Sequence, residues 1–268
     1  MSRFIENWRC IESGFEQGSL NMAIDEMLLS ACIRDEIGYP ILRFFGFRPG
    51  CVTFGISQRF SESETLKGLE SMGKEIVRRP TGGGIVVHDY DLCYSLITPV
   101  RLHPDFSSTE ISYEAIHQAV YAGFRHEGID VTFAESGKQS ELADAVCSKD
   151  VVKCDLLYKE HKIAGGAQRR RDGYFLHQGF ISLKPFVTSR MEYFVWFERM
   201  RRAVQEGFKD RFGSQLNVGG LFLEEADEAL KLKSVKYDTA EWNRNAFSAF
   251  SVEALAAKSE PAKLGDQK

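Results

Sequence analysis

The chain has 268 residues, of which 43% are hydrophobic and 27% are charged, and its formal net charge is −4 at pH 7. This length and composition are typical of a globular protein with one large domain or two small ones. The slight negative charge argues against a general attraction for nucleic acid or a membrane surface, and we expect neither as a partner.

Targeting and metal-binding patterns are missing from the sequence. Arg3, Glu6 and Arg9 interrupt any apolar run at the N-terminus, which argues against a signal peptide. No window approaches the ~18 apolar residues of a membrane span. The six cysteines include no Cys-x-x-Cys pair, which suggests neither a zinc site nor a disulfide framework. We therefore expect a cytoplasmic protein with no metal site.

The first predicted elements are a strand over residues 4–12 and a helix that extends to about Cys32, with Ser19 as its candidate N-cap. We interpret Asn21, Asp25 and Glu26 as the solvent-facing side of this helix. Two β-rich runs, Ile41–Phe47 and Cys51–Phe54, follow on either side of an Arg-Pro-Gly turn. Their phenylalanines Phe44, Phe45, Phe47 and Phe54 are equally well read as pocket lining or as core.

The stretch from Arg78 to Asp89 reads Arg-Arg-Pro-Thr-Gly-Gly-Gly-Ile-Val-Val-His-Asp. Three glycines suit neither a helix nor a strand interior, so the stretch predicts a strand, a Gly-rich turn and a second strand. Backbone N–H groups of such a turn can point at an anion, and an arginine fork can bind phosphate or carboxylate. The alternative is an ordinary hairpin with surface arginines. The spacing matches neither a P-loop nor a dinucleotide fingerprint.

The remaining pattern predicts further strands and helices and one irregular tail. Strands are expected over residues 91–99, 131–133, 154–158, 162–164 and 173–183, and helices over residues 61–73, 107–128, 190–209 and 222–232. We expect a disordered tail over residues 248–268, because these residues show little periodicity, and a single catalytic domain over residues 1–247.

A second Gly-rich, cationic stretch, His-Lys-Ile-Ala-Gly-Gly-Ala-Gln-Arg-Arg-Arg, runs from His161 to Arg171 and is followed by Leu-His-Gln-Gly at residues 176–179. With these stretches in this order, the chain resembles the lipoate-protein ligase and octanoyl transferase family, the relatives of biotin protein ligase. Residues 21–26, 43–55, 236–237 and 241–243 add further matches, and the resemblance covers roughly residues 5–247. It implies an α+β fold with a mixed β-sheet flanked by helices.

The resemblance implies an enzyme that attaches an octanoyl or lipoyl group to a lysine of a lipoyl domain. The expected acceptors are the glycine cleavage H protein or a 2-oxoacid dehydrogenase E2. In the octanoyl transferase version the donor is acyl carrier protein and no cofactor is needed. In the alternative, an ATP-dependent ligase acts through lipoyl-adenylate with ATP and Mg²⁺. A third hypothesis is a catalytically silent protein that binds an acyl-lysine. Only 85 residues follow Leu183 (268 − 183), and ligases of this family often carry a C-terminal accessory domain. The short C-terminal region therefore leans toward the transferase, or toward a ligase that needs a separate partner.

Two residues are the candidate catalytic groups. Lys162 matches the family lysine that contacts the activated acyl carbonyl, where an ammonium could stabilise an oxyanion. Cys147 lies fifteen residues earlier (162 − 147), the spacing of the acyl-accepting cysteine in one branch of octanoyl transferases. Against that branch, Ser148 replaces an aromatic residue and Gly84 matches the ligase pattern. Cys154 is a second cysteine, which strand periodicity predicts to be a core thiol.

The resemblance also supplies candidate substrate-binding residues. Asp155 matches the ligase acid that helps to hold Mg²⁺ and the adenylate phosphate, although a lone Asp at this point could simply be solvated. His88 and His177 could line the acyl pocket or be hydrogen-bonded core histidines. The other candidates, all within or near the matching stretches, are Arg43, Arg78, Arg79, Thr81, Gly82, Gly83, Gly84, Gly165, Gly166 and Ala167.

Overall fold

The computed structural model describes residues 7–135 and 151–245. Its strands are β1 (Asn7–Glu16), β2 (Ile41–Phe47), β3 (Cys51–Phe54), β4 (Glu75–Arg78), β5 (Ile85–His88), β6 (Asp91–Pro99), β7 (Thr132–Phe133), β8 (Leu156–Tyr158), β9 (His161–Arg171), β10 (Tyr174–Ser182) and β11 (Gln215–Gly219). Its α-helices are α1 (Gly18–Arg34), α2 (Glu64–Ser71), α3 (Thr109–His126), α4 (Arg190–Phe212) and α5 (Leu223–Leu232). Cys147 and the predicted tail over residues 248–268 lie outside these described ranges.

Within the described residues, eight strands form a mixed sheet in the order β11-β1-β2-β6-β10-β9-β8-β7. The pairs β11-β1 and β1-β2 are parallel. The other pairs in this order, β2-β6, β6-β10, β10-β9, β9-β8 and β8-β7, are antiparallel. Strand β11 was not predicted from the sequence. It is a mostly exposed edge strand of five residues. Its side chains alternate between polar and apolar, but the run is short and Val218 is its only β-branched or aromatic residue, so the strand signal is weak.

The two faces of the large sheet carry different helices because side chains alternate along each strand. On β6, Leu92, Tyr94 and Leu96 pack in the core formed with α3 and α4. Ile97 points the other way, into a core shared with α1 and α5. Helices α3 and α4 begin after Ser108 and Ser189, whose hydroxyls accept hydrogen bonds from backbone N–H groups of the first turn. The predicted α+β fold with helices flanking a mixed sheet is confirmed.

Helix α1 differs from the prediction at its start and along its polar side. It begins at Gly18, so Ser19 lies inside the first turn, and the carboxylate of Glu75 accepts the N–H groups of Gly18 and Ser19, each at 3.1 Å. The solvent-facing interpretation of Asn21, Asp25 and Glu26 is wrong, since all three are buried. The helix is covered on one side by the large sheet and on the other by α5 and the segment after it.

A second sheet, also within the described residues, has three strands in the order β4-β3-β5. Strand β3 pairs in parallel with β4 and antiparallel with β5, so the two strands around the Gly-rich turn do not pair with each other. The hairpin alternative is therefore wrong. Likewise β2 and β3 belong to different sheets and do not form a strand pair.

Of the helices in residues 7–135 and 151–245, none combines the length and the apolar character that a membrane span requires.

Candidate active site

A cavity of about 420 Å³ lies between helix α1, the three-stranded sheet and the inner strands of the large sheet. Both Gly-rich stretches reach it, because Gly83 and Gly84 line it from one side and Lys162, Gly166 and Ala167 from the other. Much of the remaining lining is apolar: Met22, Phe45, Phe47, Ile85, Val86, Val152 and Phe180. Of the four phenylalanines weighed from the sequence, Phe45 and Phe47 line the cavity, whereas Phe44 and Phe54 belong to the core.

Lys162 reaches the cavity through an irregularity in strand pairing. Leu156 pairs with Ala164, but Leu157 pairs with Lys162, so the register shifts between them and β9 contains an extra residue. Such a bulge changes the direction of the neighbouring side chains. A Cβ atom on Gly165 would collide with the end of the Lys162 side chain, so glycine at this position leaves room for the lysine.

The ammonium of Lys162 is held by the carboxylate of Asp155. Lys162 Nζ lies 2.7 Å from Asp155 Oδ2, and the two side chains are 11% and 0% exposed. Lys162 is therefore a largely buried ion-paired residue, in contrast to a solvated turn lysine. A charge in such a site acts more strongly on a ligand than it would in water.

Asp155 is itself held by two further donors. The hydroxyl of Tyr113 donates to Asp155 Oδ1 at 2.5 Å, and the backbone N–H of Val152 donates to Oδ2 at 2.8 Å. The same Tyr113 oxygen accepts the N–H of Gly166 at 2.9 Å. Burial and the neighbouring Asp155 charge raise the pKa of Tyr113 well above its usual value, so it remains a donor. Sequence reasoning missed Tyr113, which stands alone on helix α3 without a local motif.

These contacts bear on the predicted magnesium role of Asp155. Lys162, Tyr113 and Val152 already engage both of its carboxylate oxygens. A Mg²⁺ ion bound here would have to displace the lysine ammonium, and Mg²⁺ demands near-ideal octahedral geometry. The residues present therefore do not fit a Mg²⁺ ion at Asp155. The carboxylate serves as the anchor of Lys162, and the solvated alternative is wrong because Asp155 is buried.

The Gly-rich turn is fixed from within by Arg79. Its Nε and Nη2 donate to the carbonyl of Gly82 at 3.0 and 2.5 Å, and its Nη1 donates to Thr53 Oγ1 at 3.3 Å. Gly83 has a φ of +86°, which disfavours a side chain. A Cβ atom there would lie 3.6 Å from the Cβ atom of Ala167, which shows how closely the two Gly-rich stretches approach each other.

Arg43 and Arg78 do not line the cavity, contrary to their prediction as substrate-binding residues. Arg43 is fully buried and pairs with Asp25 at 2.8 Å. Arg78 donates to the backbone carbonyls of Ile56, Gln58 and Trp242 at 2.5–2.9 Å. Both guanidinium groups satisfy buried acceptors, and burial lowers the pKa of each. They hold elements together and offer no fork to an anion in the cavity.

A buried hydrogen-bond chain connects the Gly-rich turn to helix α1. Thr81 Oγ1 donates to Gln178 Oε1, and Gln178 Nε2 donates to Asp25 Oδ2, both at 2.7 Å. Gln178 lines the cavity, whereas the predicted Thr81 and Gly82 are not among its lining residues. Sequence reasoning missed Gln178. The alternation of β10 could have identified it, because Gln178 and the neighbouring His177 must face opposite sides of the sheet.

The two candidate histidines lie in different places. His88 lines the cavity. Its Nε2 is hydrogen-bonded to Thr53 Oγ1 at 2.9 Å, and its Nδ1 lies 2.9 Å from Asp91 Oδ2. His177 is buried on the other face of the sheet and stacks on Tyr94 with a centroid separation of 5.6 Å. Burial and the neighbouring His117 hold the pKa of His177 well below its usual value. His177 is a hydrogen-bonded core residue.

The candidate nucleophile Cys147 lies outside the described residues. The prediction of Cys154 as a core thiol in a strand is wrong. Cys154 precedes β8, is half-buried and has a φ of +71°. Desolvation and the nearby Glu114 raise the pKa of its thiol, which lowers the thiolate fraction at neutral pH.

Residues 17–217 match the model of the lipoyl protein ligase A/B catalytic domain. The chain belongs to this family. An octanoyltransferase LipM from Carboxydothermus hydrogenoformans is 31% identical, with 89% of this chain and 98% of the relative covered. An octanoyltransferase LipM from Bacillus subtilis is 32% identical with the same two coverages. The predicted family membership is confirmed.

Solved structures of the lipoyl protein ligase family share the fold. A lipoate-protein ligase A bound with ATP has a TM-score of 0.71 and 23% identity, over 88% of this chain and 98% of that one. A bi-partite lipoate protein ligase from Thermoplasma acidophilum, described with its E2 lipoyl domain, has a TM-score of 0.64 and 21% identity, over 90% and 96% of the two chains. At these identities the likeness establishes the fold alone.

Proposed function

We propose that this protein is an acyltransferase that places an octanoyl group on the ε-amine of a lysine in a lipoyl domain. The observation that carries the proposal is the apolar cavity between the two Gly-rich stretches, with the buried Lys162–Asp155 pair at its wall. The relatives that are 30% or more identical over most of the chain are named octanoyltransferases, which supports octanoyl transfer.

The cavity suits a medium-length acyl chain in size and in chemistry. Its volume of about 420 Å³ lies within the range of small-molecule sites, roughly 300–1,000 Å³. An octanoyl group has seven carbons beyond its carbonyl. At about 0.8 kcal/mol for each buried methylene, their burial contributes about 5–6 kcal/mol. The phenylalanine side chains of Phe45, Phe47 and Phe180 supply apolar surface for this contact.

Lys162 has the electrostatic role in the reaction. Attack on a thioester carbonyl places negative charge on the carbonyl oxygen, and a fixed ammonium nearby stabilises that charge. Asp155 and Tyr113 hold the ammonium in position before the substrate arrives. This arrangement avoids the reorganisation that a flexible solvated lysine would require.

Cys147 is the proposed nucleophile. Its thiolate attacks the carbonyl of an octanoyl thioester on a carrier protein, the carbon–sulfur bond to the carrier breaks, and the carrier thiolate leaves and takes up a proton. The neutral ε-amine of the acceptor lysine then attacks the octanoyl-cysteine. An amide forms, the cysteine thiolate leaves, and the amine loses a proton. Because the thioester is already activated, the two steps need no cofactor. The expected acceptors are the glycine cleavage H protein or an E2 lipoyl domain.

The ATP-dependent ligase is less well supported. Gly84 matches the ligase pattern, but the ligase structures are less than 25% identical and share only the fold. In addition, the oxygens of Asp155 are engaged by protein donors. No acyl-adenylate step is therefore proposed.

Covalent capture tests the proposal. The protein is incubated with octanoyl acyl carrier protein, without acceptor and without ATP, and its intact mass is measured. We expect one octanoyl adduct that hydroxylamine removes, that is absent in Cys147→Ser and that persists in Cys154→Ser. Subsequent addition of a lipoyl domain should transfer the group. An active Cys147→Ser protein that consumes ATP and releases pyrophosphate would instead establish the ligase.

A further inference from the structure

Three side chains at and just after the end of the first Gly-rich stretch converge at the cavity wall. His88 ends β5, and Asp91 and Cys93 lie at the start of β6. Their potential ligand atoms all lie within 4.8 Å of one another, and all three residues are buried. His88 and Cys93 line the cavity, so this cluster is accessible from the space assigned to the acyl chain.

Two of the three separations are compatible with neighbouring ligands of a tetrahedral metal ion. His88 Nδ1 lies 2.9 Å from Asp91 Oδ2 and 3.7 Å from Cys93 Sγ. With metal–ligand lengths of about 2.0 Å for nitrogen and oxygen and about 2.3 Å for sulfur, these separations give angles at the metal of roughly 90° and 115°. The ligand atoms of Asp91 and Cys93 also lie within 4.8 Å of each other, so the three side chains surround a space that they can close around an ion.

The surroundings of His88 also suit a ligand histidine. Metal-bound imidazoles generally donate their second N–H to a protein oxygen, which fixes the ring orientation. Thr53 Oγ1 lies 2.9 Å from His88 Nε2 and can take this part. When a metal binds at Nδ1, the imidazole proton resides on Nε2 and is donated to Thr53, and the Cys93 thiol loses its proton.

We propose that His88, Asp91 and Cys93 bind a zinc-type divalent cation, with the fourth coordination position open to the cavity. A thiolate, an imidazole and one carboxylate favour Zn²⁺ over the hard cations Mg²⁺ and Ca²⁺, which prefer sets of oxygen ligands. Three protein ligands and one open position are typical of accessible zinc sites. From the sequence no metal site was predicted, because the chain has no Cys-x-x-Cys pair, whereas these ligands follow a His-x-x-Asp-x-Cys spacing.

Occupancy of this site has a consequence for the acyl chain. His88 and Cys93 contribute to the same lining as Phe45 and Phe180, so a bound cation and its water molecule occupy space in the cavity. Zinc and the octanoyl chain then compete for the protein. This consequence rests on the proposed function, whereas cation binding itself does not.

Metal titration tests the site. The chelator-treated protein is titrated with ZnCl₂ by calorimetry, and separately with Co²⁺, whose absorption reports tetrahedral coordination and a thiolate ligand. We expect one Zn²⁺ per chain with a micromolar or lower Kd and a thiolate-to-cobalt band. In Cys93→Ser the band should disappear, and in both Cys93→Ser and His88→Gln the Kd should rise at least 100-fold. Melting curves confirm that each variant is folded.

Cys154→Ser is the matched control, because it removes a thiol outside the cluster; it should bind zinc like the wild type. No saturable binding in the wild type, unchanged affinity in Cys93→Ser, or loss of binding in Cys154→Ser would overturn the proposed site. In a second measurement, octanoate is titrated into zinc-loaded protein. If zinc weakens octanoate binding, relative to the zinc-free protein, in the wild type but not in Cys93→Ser, competition is supported. If zinc leaves octanoate binding unchanged in both proteins, competition is overturned.

Discussion

Replacement of Lys162 by alanine tests whether the lysine is both an electrostatic group and a structural ion-pair partner. Its ammonium lies 2.7 Å from Asp155 Oδ2, and the aspartate side chain is 0% exposed. Lys162→Ala therefore leaves a buried carboxylate that keeps its hydrogen bonds from Tyr113 and from the Val152 N–H but loses its countercharge. An exposed lysine at the start of a strand would contribute little to stability, so the sequence alone predicts only a small effect of this substitution on the fold.

The structure gives a different magnitude. Breaking a buried ion pair by removing one partner costs about 3–5 kcal/mol. Because Asp155 keeps two hydrogen bonds in Lys162→Ala, we expect a loss of stability at the lower end of this range, about 3 kcal/mol. For a chain of this size each 1 kcal/mol lowers Tm by roughly 2–4 °C, so we expect a decrease of roughly 6–12 °C. Loss of an oxyanion-stabilising group should lower the transfer rate by about 10²–10³-fold.

The assay combines melting curves with octanoyl transfer to a lipoyl domain, measured at a temperature where each variant is folded. Lys159→Ala is the control, because Lys159 is an exposed lysine in the adjacent turn. The double variant Lys162→Met, Asp155→Asn removes both charges and should recover part of the lost stability while transfer remains lost. The recovery is partial because the asparagine oxygen can accept from only one of the two donors, Tyr113 and the Val152 N–H. A Tm for Lys162→Ala within 2 °C of the wild type would refute the coupling to Asp155. Transfer within a few-fold of the wild type would remove Lys162 from the mechanism.

Three further changes follow from the site. Tyr113→Phe removes a hydrogen bond from Asp155 and leaves the Gly166 N–H without that acceptor. We expect melting curves to show a loss of about 1–3 kcal/mol of stability, and we expect octanoyl transfer to be slower. Unchanged transfer would show that the hydroxyl is not needed. Gly83→Val should weaken octanoate binding in calorimetry, because a side chain at φ +86° is strained and its Cβ atom would lie 2.7 Å from Nη2 of Arg79. Gly82→Ala should bind octanoate normally, because a Cβ atom there meets nothing within 4 Å; equal affinities of the two variants would show that the turn does not take part in binding. Burial lowers the pKa of His117 from 6.5 to about 4, so the unfolded chain takes up this proton first and acidification destabilises the fold. Between pH 7 and pH 5 this histidine alone should lower the free energy of unfolding by about 2 kcal/mol. In melting curves over that range, the stability of His117→Gln should fall less steeply with decreasing pH than that of the wild type. An equal pH dependence of stability in the two proteins would contradict this prediction.

Much of the site could be predicted from the sequence because the relevant residues are concentrated in two local stretches. Three consecutive glycines beside arginines, and a lysine followed by Gly165 and Gly166, place backbone close to a ligand wherever the fold brings them together. The structure brings these stretches to one cavity, with Gly83, Gly84, Lys162, Gly166 and Ala167 in its lining. Most elements were predictable for a similar reason, since apolar periodicity is a local property. The fold class, in contrast, was what the resemblance to the family implied.

The burial of charge could not be read from the sequence. Asp25 and Glu26 have the spacing of a solvated helix face, yet the sheet and the C-terminal segment cover them and provide Arg43 and Lys236 as partners. Arg78 stands beside Arg79 in one motif, but its partners are backbone carbonyls, including one contributed by Trp242, 164 residues away. Which charges are covered depends on contacts between residues that are distant in the chain.

The direction of each side chain was likewise decided by strand pairing. Local order alone made His177 a site candidate and left Gln178 unnoticed, whereas the pairing of β10 with β6 and β9 turns Gln178 toward the cavity and His177 toward α3. The bulge between β8 and β9 sets the direction of Lys162. The sequence by itself therefore determined which chemical groups are present and which local stretches carry them. Only the tertiary structure decided their partners, because register and burial arise from contacts that no local pattern encodes.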